Sequence, residues 1–189
     1  MVNVTRNMDP LGTRYLVVDY LNYRLSKNGH TWTHCPPLLD PPLKIHTTMR
    51  EKGDEFEDLY RVQFQELVDQ LHVTHDTCYP MFKAVVEELF QGGINWGRIV
   101  ALFAFSGSLS TRCVEKGMAS LVELIVEWMT QFIEQDLSQW IDQHGGWQGF
   151  VDFYSKRDRS TNDDTPWVKY GVIGAVGVLA LGAFMTQRT

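Results

Sequence analysis

At 189 residues and 44% hydrophobic, the chain is long enough for one compact domain with a sizeable core. A formal charge of −6, with no basic run to offset it, excludes the sequence-independent nucleic-acid binding that depends on neutralising phosphates. The three cysteines, Cys35, Cys78 and Cys113, are odd in number and widely spaced, which excludes a disulfide framework or a paired metal motif and points to reduced thiols in a cytosolic setting.

Met1 to Pro10 is polar and has no apolar core, so no secretory signal is expected. Thr13 to Ser26 places Leu16, Val17, Tyr20, Leu21, Tyr23 and Leu25 mainly along one side of a helix, which Asn28-Gly29 ends. From Thr31 to Pro42 the chain carries four of its seven prolines, in CPPLLDPP, and reads as a short extended linker. Helical spacing resumes at Leu43, with Ile45, Met49, Phe56, Leu59 and Tyr60 at intervals of three, four and seven. Phe64, Leu67, Val68 and Leu71 form a second short amphipathic piece, broken near Thr74 to Pro80. Met81 to Phe90 is another helix, stopped by Gly92-Gly93.

Asn95 has the side chain and position of an N-cap for a helix beginning at Trp96. That helix is apolar almost all round from Ile99 to Phe105, and a helix without a polar face belongs in the middle of a bundle. Met118 to Glu134 follows as a long amphipathic helix, then Leu137 to Gln143, a Gly145-Gly146 break, and Trp147 to Tyr154. With no repeat and no strand-like alternation, the expected class is all-α, with amphipathic helices around one central hydrophobic helix.

After the polar stretch Ser155 to Thr165, the uncharged segment YGVIGAVGVLALGAFM runs from Tyr170 to Met185. As a helix it would reach about 24 Å, a little short of the ~30 Å hydrocarbon core. Trp167 and Val168 extend it, and Lys169 can snorkel to the interface. A buried C-terminal helix is the alternative, but the segment is expected to be a transmembrane tail anchor. The chain is thus expected to comprise an N-terminal helix (1–30), a proline-rich linker (31–43), the rest of the bundle (44–155), a polar linker (156–166) and the tail (167–186).

Catalytic and metal chemistry find little support. His30, His34, Cys35 and His46 flank the proline-rich linker, and no second ligand pair completes a metal set. Glu87-Glu88 and Asp163-Asp164 are adjacent carboxylates of the kind found on solvated surface. Ser106 and Ser108 have no nearby base, and no glycine-rich phosphate loop appears. No enzyme activity, metal or cofactor is expected.

ELFQGGINWGRIVALFAFSGSL (Glu88 to Leu109) resembles the first homology motif of the Bcl-2 family, and WIDQHGGWQGFVDFY (Trp140 to Tyr154) the second. MREKGDEF (Met49 to Phe56), within 45–60, is similar to the third, the BH3 helix, with Met49, Gly53, Asp54 and Phe56 as its marked positions. TRYLVVDYLNYRLSKNGHTW (Thr13 to Trp32) resembles the fourth, best developed in the family's survival branch. The chain departs from the family pattern in three places. Met49 stands where that pattern usually has Leu, Gly92 replaces a common acidic residue, and the linker after the first helix is much shorter.

The resemblance implies a helical bundle with a surface groove that captures the BH3 helix of pro-apoptotic relatives, an apolar trough being what an amphipathic guest needs. By the family pattern Phe56, Tyr60, Phe64, Leu67, Val85, Leu89, Val100 and Phe105 would line the groove, with Glu88 beside it and Tyr154 at one end. Asn95 can cap its helix and also bond a visitor, and Gly97 leaves room for a guest backbone to approach closely. Arg98 offers a planar fork for the guest's Asp.

The implied role is sequestration of BH3-only activators and Bax- or Bak-like killers, which prevents permeabilisation of the mitochondrial outer membrane. The alternative is a Bax-like pore-forming executioner. The implied address is the cytoplasmic face of that membrane, with a cytosolic pool; the endoplasmic reticulum and nuclear envelope are the other candidates. A homodimer is also compatible, since the chain carries a BH3-like motif of its own.

Overall fold

The computed structural model describes residues 8–61 and 72–158. Its helices run in the order α1 (Thr13–Lys27), α2 (Lys44–Leu59), α3 (His75–Phe90), α4 (Trp96–Glu115), α5 (Leu121–Phe132), α6 (Ser138–Gln143) and α7 (Gly146–Asp158). A π-helical turn, Ile133–Leu137, joins α5 to α6. The described residues contain no strand, in line with the all-α expectation. Phe64, Leu67, the remainder of that amphipathic piece and the tail at 167–186 lie outside the described residues.

The apolar helix is the axis of the bundle. Ile99 to Gly107 is buried without a break, and α1, α2, α3 and α5 all pack against α4. Each large apolar side chain removed from water here contributes about 1.5–3 kcal/mol, so the core is assembled around this segment. At the other side, α7 packs on α2 and α6, carrying Phe150, Val151 and Tyr154 into the same core.

Two helix ends close in the same way. Gly29 (φ 79°) lets the His30 N–H reach back to the Leu25 carbonyl at 2.9 Å, and Gly117 (φ 75°) lets Met118 reach Cys113 at 2.8 Å. Both are six-residue closures that satisfy otherwise orphaned carbonyls, and positive φ makes glycine the favoured residue. The second closure shifts the next helix start from the expected Met118 to Leu121.

Five other expectations need correction. The spacing in α1 implied one apolar side, yet Tyr15 to Leu21 is buried throughout, because α2, α4 and α5 contact the helix from different directions. Asp19 tolerates that burial because Arg50 of α2 closes on both its oxygens, at 2.6 and 3.0 Å. Leu59, counted in the α2 stripe, is exposed.

The expected break at Thr74 to Pro80 is instead the first turns of α3. Thr74 caps the helix by accepting the Thr77 N–H at 3.2 Å, and Pro80 forfeits only one helical bond so near the start. The expected gap between Glu134 and Leu137 is a π turn, which inserts a residue without breaking the rod and keeps both Ile133 and Leu137 buried. Finally, α7 continues to Asp158, past the expected boundary at 155.

Candidate helix-binding site

The BH3-like stretch of α2 lies face down on α1. Met49 and Phe56 are buried, and Gly53 sits so close to Tyr20 that a methyl group there would stand 2.7 Å from the ring's Cε2. This contact brings Asp54 into a polar cluster. Its carboxylate accepts hydrogen bonds from the Tyr23 hydroxyl at 2.5 Å and the Arg24 guanidinium at 2.9 Å, and it pairs with Lys27 at 2.8 Å. Arg24 also pairs with Glu57, while Gly107 of α4 leaves room for its stem. Burial pushes the Glu57 carboxyl up to about 7, with the neighbouring Asp54 and Asp58 acting in the same direction and Arg24 and Lys27 opposing. The chain's own BH3-like motif is therefore engaged within the fold.

The corner between α3 and α4 is arranged differently. Asn95 caps α4 through a 2.9 Å bond from the Arg98 N–H to its Oδ1, as the sequence predicts. Its side-chain amide carries two N–H donors besides. Arg98 is half-buried and turns back over the turn at Gly92 and Gly93, where its Nη1 donates to the Gly93 carbonyl at 2.6 Å.

A side chain at Gly92 would collide with that guanidinium, its Cβ standing 2.5 Å from Nη2. The Gly92 departure thus clears the place where Arg98 rests. Arg14, Arg24, Arg50, Arg61 and Arg112 each face a carboxylate. Arg98 faces none among the described residues, and its Nε is buried without a hydrogen-bond partner. A cation so placed can accept a carboxylate brought from outside. Gly97 is buried beside it, and Glu88 is half-exposed on the last turn of α3.

The apolar candidates come from four helices and meet in one cluster. Phe56 of α2 and Tyr60 at its C-cap, Val85 and Leu89 of α3, Val100 and Phe105 of α4, and Tyr154 of α7 all belong to the contiguous core. The Phe56 and Tyr60 rings lie 4.8 Å apart, and Tyr154 stacks edge-on with Phe150 and under Lys52. All seven are buried; Tyr60, at 9%, is the most accessible of them. A cavity of about 300 Å³ lies elsewhere, between α3 and α5, walled by Tyr79, Phe82, Val86, Trp128 and Phe132. None of the predicted residues lines it.

His46 proves to be a structural residue. Its Nδ1 accepts the Leu43 N–H at 3.1 Å and its Nε2 meets the Pro10 carbonyl at 2.9 Å, so both ring nitrogens are committed. The Asp19–Arg50 pair and the Arg24–Asp54–Glu57 cluster escaped the sequence reading, because their members lie about thirty residues apart and no local spacing marks them.

The family described as apoptosis regulator proteins, Bcl-2 family, matches residues 49–147, and Bcl-2 homology region 4 matches residues 10–34. The chain is similar to Bcl-2-like protein 1 of Gallus gallus, 34% identical over 93% of this chain and 98% of that one. It is also similar to apoptosis regulator R1 of Xenopus laevis, 39% identical over 93% and 77%. Apoptosis regulator Bcl-2 of Gallus gallus is 31% identical over 93% and 95%.

Proposed function

The chain belongs to the Bcl-2 family of apoptosis regulators, and on that premise we propose that it is a survival protein that binds the BH3 helix of pro-apoptotic relatives. The fourth homology region at 10–34 and the similarity to Bcl-2-like protein 1 and Bcl-2 support the survival role. The observation that carries the binding role is Arg98, whose guanidinium lacks a carboxylate among the described residues and rests on a carbonyl at the edge of the bundle.

The guest helix lays its apolar stripe over the seam of α2, α3 and α4, while its Asp draws the Arg98 fork away from Gly93. Because Val100 and Phe105 are fully inside, the residues nearer the surface, Tyr60 foremost, make first contact. The seam must part for the guest to sink further. Among the described residues no helix is long and apolar enough to cross a membrane. Membrane attachment, on this reading to the mitochondrial outer membrane, is assigned to the tail at 167–186.

Calorimetry with a BH3 peptide tests the proposal. Arg98→Ala should weaken binding by roughly 2–5 kcal/mol, since the guest carboxylate is left poorly compensated. A peptide lacking the Asp should bind the wild type and the variant alike. A loss below ~0.5 kcal/mol would remove Arg98 from the binding site. In liposomes loaded with dye, the protein should suppress Bax-driven release; release caused by the protein itself would assign it to the executioners.

A further inference from the structure

Two thiols meet where α3 and α4 come together at the end remote from Arg98. Cys78 lies in the first turn of α3 and Cys113 in the last turn of α4, and the 91–95 turn joins the opposite ends of these helices. Both cysteines are fully buried, both are free, and their sulfurs are 3.9 Å apart. Such burial alone would make them inert small hydrophobes. Three features of their surroundings argue otherwise.

The first is proximity. The two thiols lie within hydrogen-bonding reach of each other, so a thiolate at one sulfur can accept the S–H of the other. The second is charge, since Lys116, one turn beyond Cys113, favours a thiolate at Cys113 and reaches the Val73 carbonyl at 3.5 Å, just ahead of α3. The third is access. Thr74 caps the turn that covers Cys78, but Pro80 cannot donate to the Asp76 carbonyl, and His75 and Asp76 are exposed. Helix ends open at little free-energy cost, and opening this one uncovers Cys78 while Cys113 stays anchored in the central helix.

We propose that Cys78 and Cys113 form a peroxide-responsive pair that closes into an intramolecular disulfide, fastening the first turn of α3 to the last turn of α4. The Cys78 thiol gives its proton to water, and the thiolate attacks one oxygen of hydrogen peroxide. The O–O bond breaks, leaving a sulfenic acid and hydroxide, which takes up a proton to become water. Cys113 then attacks the sulfenic sulfur, the S–S bond forms, and the second oxygen leaves as water. Two thiols lose two electrons and one peroxide gains them.

The sulfurs need to approach by about 2 Å from their 3.9 Å separation to reach bonding distance. The 91–95 turn already ties the near ends, so the bond secures both ends of the α3–α4 hairpin. The third thiol, Cys35, lies on the proline-rich linker and serves as an internal reference.

The full chain is treated with a small molar excess of hydrogen peroxide, alkylated, and read by intact mass, peptide mapping and thermal melting. The expected product has lost two hydrogens, keeps only Cys35 alkylatable and links the Cys78 and Cys113 peptides. Its melting temperature should rise by a few degrees, a gain that reductant abolishes. Cys113→Ser and Cys113→Ala should show no such rise, and their Cys78 should trap a sulfenic acid reactive to dimedone. A chain that keeps three alkylatable thiols, that links Cys35 instead, or that forms the bond without a reversible thermal shift overturns the proposal.

Discussion

Gly53→Ala is the substitution for which two physical effects oppose each other most directly. In an exposed helix interior, alanine is better than glycine by about 1 kcal/mol, because glycine loses more backbone freedom on folding. In α2 the added methyl would stand 2.7 Å from Cε2 of Tyr20 and 2.8 Å from Cζ, and closer still to the hydroxyl oxygen. Tyr20 is completely buried and has little room to retreat, since its ring meets Phe103 edge-on at 5.4 Å and backs onto Gly107.

Overpacking costs typically 1–3 kcal/mol, and contacts this short against an immobile ring take about 2–3 kcal/mol of that, so after the alanine gain a net destabilisation of about 1–2 kcal/mol is expected, read as a lowered urea midpoint. Tyr20→Leu removes all three clashing atoms. In that weakened background Gly53→Ala should instead stabilise, giving a coupling of about 2 kcal/mol. An unchanged or raised midpoint for Gly53→Ala alone would refute the close packing of α2 on α1.

Glu57→Gln should flatten the pH dependence of stability. The folded carboxyl titrates near 7 against 4.5 when unfolded, so its favourable state is fully present below pH 4.5 and is lost as pH rises through 7. The rise corresponds to about 3 kcal/mol at most, part of it offset by solvent at the cluster's edge. Wild type should lose stability relative to Glu57→Gln between pH 5 and 8, and parallel profiles would contradict the burial of that carboxyl. Asn95→Ala should lower stability by about 1 kcal/mol in urea unfolding, through loss of the α4 cap, whereas Asn95→Asp should keep it.

Two polar systems with different tasks emerge. The cluster of Tyr23, Arg24, Lys27, Asp54 and Glu57 binds α2 to α1 and holds the chain's own BH3-like stretch in the bundle. Arg98 sits apart from it, capped in place by Asn95 and resting on Gly93. The same carboxylate–guanidinium chemistry is closed off between Asp54 and Arg24 and available at Arg98.

Signals confined to a few neighbouring residues were legible before any fold was known. Asn28-Gly29, Gly92-Gly93, Asn95 and Gly145-Gly146 marked helix ends, the unbroken apolar run marked the central helix, and four ordered motifs marked the family. These succeed because capping, turn formation and helical periodicity act within about one turn of chain. The expected break before Pro80 and the gap after Glu134 failed for a related reason: each weighed one local irregularity and missed the packing that carries a helix across it.

For the candidate residues, the sequence reading stopped short of how the packed fold disposes them. The family pattern named Phe56, Tyr60, Val85, Leu89, Val100 and Phe105 as groove lining, but could not say how deeply neighbouring helices would cover them. Nor could it show that Arg24 reaches Asp54 and Glu57, that Arg98 occupies the space vacated at Gly92, or that Cys78 and Cys113 touch. Those contacts join residues that, Gly92 and Arg98 aside, lie thirty or more apart in the chain, and only the packing of whole helices sets the distances between them.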